Sequence, residues 1–296
     1  MTGQPGMVGV IGLGQMGSAM CRTLLRAGWR VAGWDISSRS VEDLARDGVE
    51  PVSGPAEMAG RTRLVIACLP DAAAVRAVAL GDGGLVHGDC VGLTLIDTST
   101  ISPAAARELA ADLAPHHVSF VDAPVSGGVG AARSGRLGVM VGGSLDAVER
   151  SRAVLSAVGK TVVHCGPVGA GQVAKACNQL IVMATHEAVA EALVLARVAG
   201  LDPWRIREAM AGGYAASPIL EVQGPRMIDH DFAPGGKAIY HLKDIATIEG
   251  IAREAGLSLP VFDAAARQIE RLVDQGGGEL DNSALITMVE PRPGPS

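Results

Sequence analysis

Aromatic side chains are scarce: three Trp, two Tyr and three Phe in 296 residues. Stacking platforms for single-stranded nucleic acid are therefore not expected. Nor is there an excess of positive charge, since 25 basic residues face 31 acidic ones for a net charge of −6, with no basic stripe to meet a phosphate backbone. The five cysteines (Cys21, Cys68, Cys90, Cys165, Cys177) form no Cys-x-x-Cys and are odd in number. That argues against a disulfide framework or a thiolate metal centre and for reduced thiols. Seven histidines show no ligand spacing: His116-His117 lack a partner motif, and His186-Glu187 lacks the second His of a zinc helix. No metal is expected. Uninterrupted apolar runs such as Leu180-Ile181-Val182-Met183-Ala184 fall short of the ~20 residues of a membrane span. The start, Met-Thr-Gly-Gln-Pro-Gly, lacks a basic and then apolar export pattern, so a cytoplasmic location is expected.

What is present is apolar and periodic. The chain is 48% hydrophobic and 19% charged, too hydrophobic for disorder. At roughly 100–200 residues per domain its length suggests two. The first half alternates β-branched runs with Ala-rich stretches, the pattern of βαβ units around a parallel sheet. Strands are expected at Val8–Ile11, Arg30–Trp34, Leu64–Ala67, Thr94–Asp97, Ser119–Asp122, Leu137–Val141 and Thr161–His164. Helices are expected at Ser18–Ala27, Ser40–Arg46, Ala72–Leu80, Pro103–Leu113 and Asp146–Ala157, with Ser102 and Ser144 as starts of the last two. After Gly166-Pro167 no strand is evident. A long helix from Gly171 to Ala199 precedes shorter ones at about Pro203–Ala211, Ile219–Met227, His241–Ala255 and Val261–Gln275. The fold expected is α/β: a doubly wound dinucleotide-binding domain (1–167), then an all-helical domain (168–290) for substrate and oligomerisation, with 291–296 as a flexible tail.

Four constellations carry chemistry. Gly12-Leu13-Gly14-Gln15-Met16-Gly17 follows a strand and opens a helix. Gly12 suits the tight turn, Gly14 close approach of a pyrophosphate, and Gly17 helix–strand packing, with the helix N-terminus facing the phosphates. Asp35 ends the second strand, where an acid binds ribose hydroxyls and repels a 2′-phosphate. NAD is thus favoured, with NADP as the alternative because Ser37, Ser38 and Arg39 follow. Asp122-Ala123-Pro124-Val125-Ser126-Gly127-Gly128 offers a hydroxyl and successive N–H groups, a concavity suited to a carboxylate. In Gly169-Ala170-Gly171-Gln172-Val173-Ala174-Lys175-Ala176-Cys177-Asn178, Lys175 and Asn178 are three apart on one helix face. A lysine partly desolvated there would have a lowered pKa, suited to proton transfer near neutrality. Lys243-Asp244, after Pro234-Gly235-Gly236, reads by spacing alone as a solvated helix face.

In this order and spacing the motifs resemble the β-hydroxyacid dehydrogenase family, over about residues 7 to 290. The resemblance implies that Gly12, Leu13, Gly14, Gln15, Met16 and Gly17 bind dinucleotide, and that Leu69, Pro70 and Thr100 also contact it. It implies that Ser126, Gly127, Gly128 and Asn178 bind substrate, that Lys175 is the catalytic lysine, and that Lys243 meets the nicotinamide side of the cofactor. The function implied is hydride transfer between NAD(P) and a small β-hydroxy acid, in a homodimer or homotetramer. The alternatives are an imine reductase-like enzyme, where the lysine position usually carries another residue, and a non-catalytic dinucleotide-binding module. This chain departs from the family in having Arg136 within Gly135-Arg136-Leu137, Ala74 at a polar cofactor position, and Ala216 in Gly212-Gly213-Tyr214-Ala215-Ala216-Ser217. The last puts the substrate tail in question, with Tyr214, Ser217 and Arg136 as candidate selectors. 3-Hydroxyisobutyrate, glycerate, threonate and β-hydroxy amino acids all remain as substrates.

Overall fold

A computed structural model describes residues 6–291, so 292–296 of the expected tail lie outside the described residues. The chain divides into two compact units, the first running through Lys175 and the second starting at Ala176. The first therefore extends past the expected joint near 167.

The first unit is β1 (Met7–Ile11), α1 (Gln15–Arg26), β2 (Arg30–Trp34), α2 (Ser38–Ala45), β3 (Glu50–Pro51), α3 (Pro55–Arg61), β4 (Leu64–Ala67), α4 (Ala72–Leu80), β5 (Thr94–Asp97), α5 (Pro103–Leu113), β6 (Ser119–Asp122), β7 (Val125–Ser126), α6 (Gly128–Arg133), β8 (Leu137–Gly142), α7 (Leu145–Val158) and β9 (Gly159–Gly166). Its nine-stranded sheet has the order β3-β2-β1-β4-β5-β6-β8-β7, with β9 beside β8. From β3 to β6 every pairing is parallel. The order reverses between β1 and β4, which opens a crevice at their carboxyl ends. Alternation along the inner strands feeds two cores. Ile66 and Ile96 join Met20, Leu24 and Leu155 on one face, and Val65 and Leu95 join Val75 and Leu109 on the other. Buried on both faces, these strands read as continuous apolar runs.

An all-parallel sheet does not survive. β8 runs antiparallel to β6, through Asp122 and Gly142, and to β7. A parallel return needs a crossover of about a dozen residues or more. Between Ser126 and Leu137 there is only the short α6, turned by Gly127, Gly128 and Gly135 at positive φ. Four elements of this unit were absent from the sequence reading: β3, α3, β7 and α6. Two are two-residue strands and two are short helices containing glycine. α1 begins at Gln15 rather than Ser18, because Gly14 is its N-cap and the glycine loop itself forms the first turn. The hydroxyls of Ser102 and Ser144 accept from Ala105 N and Ala147 N, capping α5 and α7.

α8 (Ala170–Val198) leads into the second unit, followed by α9 (Pro203–Ala211), α10 (Pro218–Asp229), α11 (His241–Ala255), α12 (Pro260–Asp274) and α13 (Ile286–Val289). Among its described residues the only strand-like pairing is a bridge of Lys237 with Asp281. Met183, Ile245, Phe262 and Ile269 form one core, and Leu193, Leu220, Met227 and Ile286 another. α8 has a mean hydropathy of 1.4 over 18 residues, long and apolar enough by length and composition to cross a membrane. A core helix of a globular domain has the same length and composition, so the expectation drawn from the short apolar runs is not overturned. Half of that window is buried, with Met183, Ala190 and Leu193 enclosed in the cores, while Ile181, Leu195 and Val198 are exposed.

Adjacent on α8, His186 and Glu187 titrate in opposite senses. Burial pushes His186 down to about 4, and burial lifts Glu187 to about 7. As pH falls from about 6.5 to about 4, the unfolded histidine takes up a proton that the folded one refuses, so stability is lost. As pH rises from about 4.5 to about 7, the folded glutamic acid keeps a proton that the unfolded chain has released, and stability is again lost. The two slopes oppose one another where these windows overlap. Glu187→Gln is expected to raise stability by about 2 kcal/mol at pH ~8 and to leave the rising histidine slope uncovered. Denaturant unfolding across the pH range checks this, and parent and variant of equal stability at the alkaline end would refute it.

Candidate active site

The carboxyl ends of β1 and β4 hold a cavity of ≈ 540 Å³ lined by Gly12, Gly14, Asp35, Leu69 and Pro70. Gly12 has φ +91, and a Cβ there would strike the Cys68 carbonyl oxygen. A Cβ on Gly17 would strike the Gly12 carbonyl oxygen, whereas Gly14 has nothing within 4 Å. Two glycines thus permit backbone closure, and the third leaves open space at a helix N-terminus with no acid in its first turn. Leu13 is buried and donates its N–H to Asp35 Oδ2 at 2.6 Å, while Ser37 N–H donates to Oδ1 at 2.8 Å. The carboxylate is therefore pinned at the cavity wall. Gln15 is exposed, and Met16 packs against the core. These features fit a dinucleotide: open space before uncapped helical N–H groups for the phosphates, and a fixed acid for the ribose. Trp34, Ile36, Pro55 and Asp82 also line the cavity. Sequence reasoning did not single them out: Trp34 ends β2 as an ordinary strand residue, Pro55 starts the unexpected α3, and Ile36 and Asp82 lie in loops.

A second group forms at the end of β6. Asp122 is fully buried and accepts from Gly169 N at 2.8 Å and Gln172 N at 2.9 Å. Burial raises its pKa above the ordinary value, and the N–H bonds only partly offset this. Gly171 must be glycine, since a Cβ would lie 2.5 Å from Met140 O and 2.6 Å from Asp122 O. Asp122 therefore caps α8. One turn later Lys175 is buried, and its Nζ donates to the Val125 carbonyl at 3.0 Å. The amine thus reaches the residue before Ser126, which is half-buried, and Gly127 and Gly128, which are exposed at positive φ.

Gln172 links this group to the cavity. Its Nε2 donates to Ser99 O at 2.8 Å, and its Oε1 accepts from Ile101 N at 3.2 Å, holding both neighbours of half-buried Thr100. Ser99 Oγ in turn accepts from Leu69 N at 2.9 Å. Neither the cap formed by Asp122 nor the clamp formed by Gln172 has a local sequence signature.

In the second unit, Asn178 Nδ2 donates to Gln179 Oε1 at 2.9 Å and Gln179 Nε2 to Asp244 Oδ2 at 2.6 Å. Asp244 is buried, so Lys243-Asp244 is not simply a solvated face, although Lys243 is exposed. The loop before α11 is held by buried Asp281, which accepts from Gly235 N and Gly236 N and pairs with Arg226 at 2.9 Å. Burial pushes Asp281 up, but the N–H groups of Gly236 and Ser283 outweigh it and leave the carboxyl below its usual range. Among the candidate selectors, Ser217 accepts from Leu220 N and caps α10, while Tyr214 and Arg136 are exposed. Ser217 and Ala216 line a cavity of ≈ 520 Å³. Among the described residues no cluster of three His, Cys, Asp or Glu side chains is placed to hold a metal.

Residues 7–166 match the family described as the NAD binding domain of 6-phosphogluconate dehydrogenase. Residues 169–289 match that described as the NAD-binding domain of NADP-dependent 3-hydroxyisobutyrate dehydrogenase. The chain is 36% identical over 283 residues to 2-hydroxy-3-oxopropionate reductase of Escherichia coli, covering 96% of this chain and 97% of that one. Its fold matches the structure of Mycobacterium tuberculosis 3-hydroxyisobutyrate dehydrogenase with L-serine, with a TM-score of 0.87, 30% identity, and coverage of 96% and 99%. An imine reductase from Pseudomonas sp. is more distant, with a TM-score of 0.64 at 20% identity over 97% of this chain and 100% of that one, a likeness of fold alone. With both halves matched and a relative this similar over nearly its whole length, the chain belongs to the β-hydroxyacid dehydrogenase family.

Proposed function

We propose that this chain interconverts a small β-hydroxy acid and its aldehyde or keto acid, with NAD preferred and Lys175 as general acid and base. The observation that supports this reading is the bond from buried Lys175 Nζ to the carbonyl of Val125, the residue that precedes Ser126, Gly127 and Gly128 in the chain. A bound NAD(P) would supply the hydride acceptor or donor. The cradle from Gly12 through Gln15 and Met16 to Gly17 holds its phosphates and Asp35 its ribose, with Leu69, Pro70, Thr100 and Lys243 as further contacts. Ser126 Oγ and the N–H groups of Gly127 and Gly128 receive the substrate carboxylate, and Asn178 holds the substrate by hydrogen bond. In oxidation Lys175 Nζ accepts the hydroxyl proton, and in reduction it returns one. Such proton transfer is worth about 10²–10⁴-fold, and positioning adds to it.

The NAD preference rests on Asp35, whose two oxygens are fixed by Leu13 and Ser37 N–H groups and cannot swing away from a 2′-phosphate without losing both. Asp35→Ser is expected to shift the NAD-to-NADP ratio of kcat/KM by about tenfold or more toward NADP, as one charge contact is worth more than ~1.4 kcal/mol in this setting. The rate of NAD(P)H formation with a panel of β-hydroxy acids measures both preferences. A parent enzyme that already favours NADP would sink the argument. We propose further that exposed Ile181, Leu195 and Val198 of α8 are covered by a second copy in a homodimer or homotetramer.

A further inference from the structure

Within the second unit, α8, α11, α12 and the turn after Asp281 enclose a cavity of ≈ 10 Å³, lined in part by Met183, His186, His241, Ile269 and Asn282. Three buried polar atoms in this lining have no hydrogen-bond partner among the described residues: His186 Nε2, His241 Nδ1 and Asn282 Oδ1. Buried polar groups are almost always satisfied, by protein or by ordered water. Here the protein cannot do it. The rings of His186 and His241 lie 6.4 Å apart, centre to centre. A ring nitrogen stands about 1.2 Å from its centre, so the two nitrogens cannot approach within about 4 Å, beyond the ~3 Å of a direct bond. Nor does the nearest carboxylate oxygen serve, since Asp244 Oδ2 is 3.6 Å from His241 Nδ1.

Hydrogen-bond polarity specifies the occupant. His186 Nδ1 meets the Val182 carbonyl at 2.9 Å, so Nδ1 carries the hydrogen and Nε2 presents a lone pair. Burial keeps this ring neutral near pH 7. Asn282 Oδ1 is a second acceptor. His241 Nδ1 can carry the ring hydrogen and so serve as the donor. Two acceptors and one donor around a space of about one water-sized probe sphere match the two hydrogens and the lone pairs of a water molecule.

We propose that one ordered water is bound here, donating to His186 Nε2 and Asn282 Oδ1 and accepting from His241 Nδ1–H. It ties α8 to the first residue of α11 and to the turn after Asp281. The test is a crystal structure of the full chain at atomic resolution, with histidine tautomers read by nitrogen NMR. The expected result is a single water peak about 2.6–3.2 Å from all three atoms, with both histidines in the Nδ1–H form. A dry cavity or an anomalously scattering ion would overturn the proposal. So would a Nε2–H tautomer of His241, because three acceptors exceed the two hydrogens of water. Asn282→Leu is expected to expel the water and lower Tm by roughly 2–5 °C, and persistence of the peak in that variant would equally overturn it.

Discussion

Lys175→Ala is expected to lower kcat by about 10³-fold or more while NADH binding stays within a few-fold. The first part follows from removing the buried amine that bonds the Val125 carbonyl, next to the Ser126–Gly128 segment in the chain, since general acid–base help is worth about 10²–10⁴-fold and alanine offers no proton. The second part follows from the cavity, whose lining of Gly12, Gly14, Asp35, Leu69 and Pro70 does not include Lys175. Steady-state turnover with the best β-hydroxy acid and fluorescence titration of NADH separate the two effects. Lys175→Met, which keeps most of the buried length, controls for lost packing and should be as inactive as the alanine variant. A variant that keeps a tenth of the parent rate would remove Lys175 from the chemistry.

Asp122→Ala is expected to cost about 3 kcal/mol of stability, because it leaves the Gly169 and Gln172 N–H groups buried without their acceptor, at ~1–3 kcal/mol for each such group. Thermal unfolding should fall by roughly 6–12 °C at the usual conversion for chains of this size. Activity should fall further than the folded fraction does, since the cap fixes the start of the helix that carries Lys175. The NADH affinity of the folded protein should change less. The opposite pattern, with Tm unchanged, would mean that water replaces the carboxylate and that Asp122 is not the anchor of α8. Gly142 supports tight enclosure, since a Cβ at that position would run into the Asp122 carboxylate.

The parts of the fold legible in the residues are those where burial alone decides. Arg30–Trp34, Leu64–Ala67, Thr94–Asp97 and Ser119–Asp122 are strands at the expected bounds, because β-branched runs flanked by turn residues have few other uses. The Gly12–Gly17 loop was equally readable from its spacing, although only Gly17 is demanded by a clash inside the loop, with the Gly12 carbonyl, while Gly12 answers to the distant Cys68 carbonyl and Gly14 to open space. By contrast, the reversal of β8 depends on α6, whose glycines carry no direction, and β3 contains Pro51, which cannot donate to a ladder. At the candidate site Asp122 was visible as part of a motif but not as a cap. That role exists only because the end of β6 meets a helix start some fifty residues later. Gln172 escaped for the same reason: its partners, Ser99 and Ile101, are distant in sequence.

The end of the first compact unit at Lys175, rather than at the last strand, bears on how such chains can be recombined. A chimera joined at Pro167 would separate Asp122 from the N–H groups of Gly169 and Gln172 and replace the Gln172 clamp with whatever the donor supplies. Joined after Lys175, the same exchange carries over the cap, the clamp, the lysine and the Ser126–Gly128 segment as one inherited piece. Everything imported would then lie from Ala176 onward, including Asn178, Tyr214 and Ser217. Under the proposed roles, Asn178, Tyr214 and Ser217 would be exchanged together, with Lys175, the Ser126–Gly128 segment and Arg136 left in their native setting.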